Sequence, residues 1–169
     1  MMKHLVLLAA LVSAPAFGYQ SKYYSSSAQH NIGVDLAFEN GGIEIGADYE
    51  YSNSPIGPGG YFLYVPKDTS DKNARDGVVF FGGMGVIHYK ADKIDAYMAP
   101  GFGFANISST AANKSDTMVL GPRIAFGALY ELTSGFSLGF ESVHYYCWFN
   151  SDFNGELRSD MLIKGRFSF

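Results

Sequence analysis

The sequence predicts an all-β protein: an eight-stranded antiparallel up-and-down transmembrane β-barrel, preceded by a cleaved signal peptide. Three observations predict it. The chain opens on an export signal, the remainder alternates apolar and other residues with a period of two, and that alternation continues into the last residue, Phe169.

The export signal comes first. Lys3 supplies a short positive segment, and Leu5 to Val12 is an apolar run too brief to span a bilayer. Small residues then stand at signal-peptidase spacing, as Ala14-Pro15-Ala16 or Ala16-Phe17-Gly18. Residues 1–16 therefore read as the signal peptide, with cleavage after residue 18 as the alternative, and 17–169 as the barrel. The expected route is export through the inner membrane. No cysteine follows the cleavage region, so no lipoprotein anchor is expected. Beyond the signal no apolar run reaches about 18 residues, the length a membrane helix needs. Removing Lys3 with the signal takes the net charge from −4 to −5, which argues against a nucleic-acid partner. Cys147 is the only cysteine, leaving no internal disulfide and no cysteine-based metal site; no cofactor is expected.

The strands follow in order. Ile32, Val34, Leu36 and Phe38 alternate with Gly33, Asp35, Ala37 and Glu39, and Asn40-Gly41-Gly42 is a hairpin turn signal. Ile43, Ile45, Ala47, Tyr49 and Tyr51 then oppose Glu44, Gly46, Asp48 and Glu50. Ser52 to Gly77, broken by Pro55, Pro58, Gly59-Gly60 and Pro66, reads as a large exposed loop in which Tyr61 to Val65 extends a strand above the membrane. Val78 to Lys90 is a strand with two nearly equally apolar faces, so its orientation stays open. After the turn Ala91-Asp92-Lys93, Ile94 to Phe104 alternates again, with Pro100 interrupting the ladder. Pro122 does the same to a strand carrying Ile124, Phe126, Ala128 and Tyr130 against Arg123, Ala125, Gly127 and Glu131. Leu132 to Gly135 turns the chain into a strand from Phe136 through Tyr146, and the polar Asn150 to Gly155 leads to the last strand. The turns at 40–42, 91–93 and 132–135 are short, and longer polar loops alternate with them. That asymmetry matches short periplasmic turns and long external loops. Three periplasmic turns imply eight strands; the one not read directly is assigned to Phe17 to Tyr24, followed by Ser25-Ser26-Ser27.

Alternation alone fits a soluble barrel equally well, with its apolar face turned inward. The export signal, the turn asymmetry and the final strand choose the membrane. Met161, Ile163, Gly165, Phe167 and Phe169 share one face of that strand, against Asp160, Leu162, Lys164, Arg166 and Ser168. This ending resembles the C-terminal signal of outer-membrane proteins, with Gly165 departing from the usual bulky residue. The resemblance implies recognition of Met161, Ile163, Phe167 and Phe169 by the barrel-assembly machinery. The chain from 17 to 169 resembles the small opacity-type and OmpA-type transmembrane-barrel family. That implies a fold, an outer-membrane location in a Gram-negative-type bacterium and contact with outer-membrane lipid, but no activity.

An eight-stranded barrel is just wide enough for its own side chains. Its expected lumen carries Asp35, Glu39, Glu44, Asp48, Asp95, Arg123, Glu131, Glu141, Arg158, Lys164 and Arg166, acidic early and basic late. Unpaired buried charge is expensive, so cross-lumen ion pairs that hold the barrel shut are expected, rather than an ion path. His30 and His88 have no carboxylate at ligand spacing and read as surface or interfacial. His144 invites comparison with outer-membrane lipid A deacylases, which place a serine two residues after a histidine on one strand face. Tyr146 stands at that place here, and Ser142 lies two residues before His144 instead. Cys147 and Trp148 read as an interfacial pair near the outer rim. The leading expectation is a non-enzymatic barrel with a structural or surface-interaction role, binding a surface ligand through loop 52–77. The alternatives are a narrow channel for small apolar solutes entering between the strands of Pro100 and Pro122 and, weakest, a lipid A-modifying enzyme.

Overall fold

A computed structural model describes residues 30–39, 42–52, 56–70, 74–150 and 152–169. Eight antiparallel strands form a closed ring in sequence order: β1 (His30–Glu39), β2 (Gly42–Tyr51), β3 (Ile56–Val65), β4 (Gly77–Ala91), β5 (Ile94–Ser108), β6 (Thr117–Thr133), β7 (Phe136–Tyr146) and β8 (Leu157–Ser168). Closure comes from β1 pairing with β8, from Asn31 opposite Ser168 to Leu36 opposite Ile163. His30 and Phe169 then exchange backbone hydrogen bonds of 3.1 and 3.0 Å.

The eighth strand lies where the sequence suggested a loop. Residues 56–65 form β3, pairing with β2 and along their whole length with β4. Pro58, Gly59 and Gly60 mask it, because they interrupt the alternation and read as punctuation. In the ring two glycines of this stretch are needed: a Cβ on Gly59 would collide with the Tyr49 carbonyl, and one on Gly57 with the Glu50 side chain. The external loop is thereby reduced to residues 66–76. The expected first strand at 17–24 lies outside the described residues, and the ring closes without it.

Moving one strand reverses the first hairpin. The strand ends Tyr51 and Ile56, Ala91 and Ile94, and Thr133 and Phe136 share an end of the barrel with His30 and Phe169, here called the terminal end. Glu39 and Gly42, which flank the expected turn, lie at the opposite, loop end with Val65, Gly77, Ser108, Thr117, Tyr146 and Leu157, so this connection is not one of the three on the terminal side; residues 40–41 themselves lie outside the described residues.

Face assignment follows the alternation. Ile32, Val34, Leu36 and Phe38 point outward at 39–71 % exposure, while Asn31, Asp35 and Ala37 are buried inside. The outward set continues around the ring as an apolar belt including Ile45, Phe62, Phe81, Phe104, Phe126, Phe140 and Ile163. An aqueous surface rarely carries so continuous an apolar band; a lipid-facing one requires it. On β4, Val78, Phe80 and Val86 point inward against outward Phe81 and Tyr89. Both faces are apolar because the inner one packs into a mainly apolar part of the lumen.

Pro100 and Pro122 do not part their strands. The β5–β6 register runs unbroken through Pro100 opposite Ile124 and Phe102 opposite Pro122. The interruption lies on the other side, where β4–β5 pairing skips from Met84–Gly101 to Ile87–Met98. Even there Val86 and Ala99, at 2 and 1 % exposure, close the inner side.

A charge near the middle of β3 tests this architecture. Phe62→Lys is expected to lower unfolding stability in lipid by about 2–4 kcal/mol, while Ser70→Lys in the loop leaves it unchanged. Urea titration of the reconstituted protein measures both, and equal effects would return residues 56–65 to a loop.

Candidate functional site: a sealed lumen, a latched mouth and a polar notch on the wall

The lumen divides into two layers. Toward the terminal end it is an ion-pair lattice. Lys164, 2 % exposed in its side chain, reaches Glu141 at 3.0 Å and Asp35 at 3.3 Å and also pairs with Asp48. Arg123 meets the other Glu141 oxygen at 2.9 Å, and the Tyr97 hydroxyl donates to Glu141 at 2.5 Å. Arg166 pairs with Asp95. Taking such charges from water costs several kcal/mol each unless their partners hold them closely, and here the carboxylates and cations interleave. Glycine makes room for this: a Cβ on Gly127 would collide with the Tyr97 ring, and one on Gly33 with the Asp48 carboxylate.

Most of the expected network is brought together: Asp35, Asp48, Asp95, Arg123, Glu141, Lys164 and Arg166. Four members differ. Glu44 lies near the loop end and pairs with Arg75 at 2.5 Å. Arg158 sits at the mouth, and Glu131 is exposed at the terminal rim beside a register shift. Glu39 is the last residue of β1, and its side chain lies outside the described set. His88, which the sequence left without a carboxylate, stands between two: Nε2 is 2.9 Å from Glu50 and Nδ1 2.9 Å from Asp95. These partners are 38 and 7 residues away, so only strand pairing could reveal them. Glu50, Tyr97 and Asn31, whose amide donates to Glu50 at 3.0 Å, were also missed.

Toward the loop end the lumen is mainly apolar, with the Glu44–Arg75 pair set into it. Leu63, Val65, Phe80, Ile107, Val119 and Tyr145 fill it at 6 % exposure or less. Phe153, from the 147–156 connection, descends into this layer and is fully buried. Lys114 lies 4.3 Å and Arg158 5.6 Å from its ring centroid, the range of cation–π attraction. Cys147 is fully buried here rather than interfacial, and burial pushes its thiol pKa up. Trp148 faces outward, beside Phe102 at 5.8 Å and Tyr146 at 6.4 Å.

Above the plug Asp76 latches two of the long loops to β8. It accepts from the Thr110 amide at 2.7 Å, the Thr110 hydroxyl at 3.0 Å and Arg158 at 2.9 Å. Burial raises its pKa, but these donors outweigh that and hold it below the ordinary 3.8. Lys67 adds a bond to the Ser109 carbonyl at 2.7 Å, and Lys114 one to Glu156 at 2.7 Å. At the opposite end a cavity of about 240 Å³, lined in part by Lys90, Asp92, Asp95, Glu131 and Arg166, opens below the lattice.

On the outer wall, Ser142 and His144 occupy successive lipid-facing places of β7. The Ser142 hydroxyl lies 3.1 Å from His144 Nε2, and Ser159 of β8 lies 2.8 Å from Nδ1. Serine and histidine are thus adjacent although Tyr146 replaces the serine of the deacylase pattern. Ser159, 15 residues on, is a member the sequence could not supply. All three lie in continuous ladders, His144 opposite both Ile124 and Ser159. Their backbone amides are therefore committed to neighbouring strands instead of forming the oxyanion site that acyl transfer requires.

No protein-family model matches the chain, and no curated protein does. Solved structures do. The N-terminal β-barrel domain of OprF from Pseudomonas aeruginosa superposes with a TM-score of 0.63 at 12 % identity, covering 84 % of this chain and 98 % of that one. Neisserial surface protein A gives 0.62 at 11 %, covering 83 and 94 %. The chain has the fold of the small outer-membrane β-barrels. A de novo designed transmembrane β-barrel also matches, with a TM-score of 0.51 at 16 % identity, covering 85 and 98 %. Identities this low carry architecture and not activity.

Two substitutions probe the two layers. Lys164→Met strands Asp35, Asp48 and Glu141 together and is expected to cost about 3–5 kcal/mol, read as an earlier loss of heat-resistant gel mobility. Phe153→Ala unplugs the mouth, so Cys147, inert to a small maleimide in the wild type, becomes labelled; wild-type labelling at the same rate would mean that no plug exists.

Proposed function

We propose that the protein is a sealed, non-enzymatic anchor in the outer membrane of a Gram-negative-type bacterium, presenting a rigid loop surface for envelope integrity, adhesion or host contact. The observation that carries this is Asp76, which ties β3–β4, β5–β6 and β8 together above a plugged lumen. A pore would need a continuous wet path, whereas here the ionic layer ends against an apolar one. A binding platform needs loops held by a stiff scaffold. Residues 66–70, 74–76, 109–116, 147–150 and 152–156 are held in that way, exposing small polar side chains such as Ser70, Asn113, Ser115 and Asn154. The surface ligand expected through residues 52–77 would meet 66–76 within this shared platform. The name of Neisserial surface protein A points to a comparable setting for a matching fold.

Biogenesis fits the same reading. Met161, Ile163, Phe167 and Phe169 are exposed on the outer face of β8 at 44–69 %, available to assembly machinery and then to lipid.

In planar bilayers the purified protein is expected to show no conductance steps above background. In cells, replacing Ser70, Asn113, Ser115 and Asn154 with alanine should reduce adhesion or detergent resistance while heat-resistant mobility is kept. Steady conductance by the wild type would favour a channel, and unchanged surface phenotypes would remove the platform.

A further inference from the structure

The wall carries a polar notch that neither the plug nor the platform uses. Ser142, His144 and Ser159 face lipid, and apolar neighbours surround them: Ile124 and Phe126 on β6, and Met161 on β8. The Phe126 ring lies edge-on to His144 at 6.3 Å. Polar groups at membrane depth are expensive and mark functional positions.

The hydrogen-bond count within the notch is informative. A neutral imidazole has one N–H and one bare nitrogen. One serine therefore donates to the bare nitrogen, and the other accepts from the N–H. The accepting serine keeps its own O–H, and among the described residues neither hydroxyl makes another hydrogen bond. Protonating the ring would free both hydroxyls. In either state at least one O–H donor is left facing the membrane.

Its depth indicates an acceptor. Tyr146 is the next outward residue of β7, and together with Trp148 and Phe102 it forms an aromatic group at the loop-end rim. Such rings sit at headgroup level. His144 is two residues below Tyr146, roughly 7 Å along the strand. The acyl-ester carbonyls of membrane lipids lie just beneath the headgroups. They are hydrogen-bond acceptors without donors of their own.

We propose that Ser142, His144 and Ser159 form a non-covalent binding site for the ester carbonyl of an outer-leaflet lipid. The spare hydroxyl donates to the carbonyl, and Ile124, Phe126 and Met161 flank the acyl chain. No bond is broken.

The test uses the full-length protein in nanodiscs and native mass spectrometry of retained lipid. Diester phosphatidylethanolamine, its diether analogue (which lacks the carbonyls) and purified lipid A form three arms. The wild type is expected to retain ester over ether lipid roughly fivefold, about the value of one hydrogen bond. Stronger retention of lipid A than of the phospholipid would identify the source as lipid A, and the reverse as phospholipid. Ser142→Ala with Ser159→Ala should abolish the preference, with gel mobility confirming the fold. Equal retention of ester and ether lipid by the wild type overturns the proposal without any variant. So does an undiminished preference in the folded double variant, and release of free fatty acid would replace binding with hydrolysis.

Discussion

In hydrocarbon a backbone N–H or C=O has no water to turn to, so a sheet that spans a bilayer must leave no edge. The pairing of Asn31–Leu36 with Ile163–Ser168 meets this condition, and much of the remaining structure follows from it. Once β1 and β8 are joined, the ring needs a strand between β2 and β4, and residues 56–65 supply it despite Pro58 and two adjacent glycines. That strand sets which connections share an end, and so places all three long loops on one side. A proline is tolerable where its missing N–H affects only a short stretch, as at Pro100, because the β5–β6 ladder beside it is continuous.

Closing eight strands also fixes the bore, and a bore of this size is filled by side chains. The filling is layered. Charges gather toward the terminal end, where Lys164 and Arg166 of β8 stand opposite carboxylates of β1, β2, β5 and β7. The other half is built like the core of a soluble protein, with Phe153 folded in from a loop as its last piece. The two layers do different work. The lattice confers specificity, because each charge removed strands its partners. The apolar layer excludes water and separates the lattice from the mouth. Asp76 then joins two of the loops to β8 above it, so the external surface inherits the stiffness of the barrel.

The outer wall follows a simpler rule, apolar side chains against lipid with aromatic rings toward the rims, and departs from it at the β7–β8 notch. Ser142, His144 and Ser159 satisfy one another almost completely. What remains is a hydrogen-bonding capacity at a chosen depth in the membrane, which is a property of recognition.

The sequence by itself determined the class of fold and the face of nearly every strand, because side-chain direction along a strand is a local, period-two property. Ile32 to Phe38 outward, Asp35 and Asp48 inward, and Met161 to Phe169 along the lipid face were all legible from it. Even there, only Tyr61 to Val65 of β3 reads as strand, since Pro58, Gly59 and Gly60 carry no alternation to read. Only the tertiary structure decided which inward or outward residues meet. His88 between Glu50 and Asp95, Arg75 on Glu44, Arg158 on Asp76 and Ser159 on His144 join residues on different strands and loops. Such contacts depend on register and ring closure, and a periodic pattern contains no term for either.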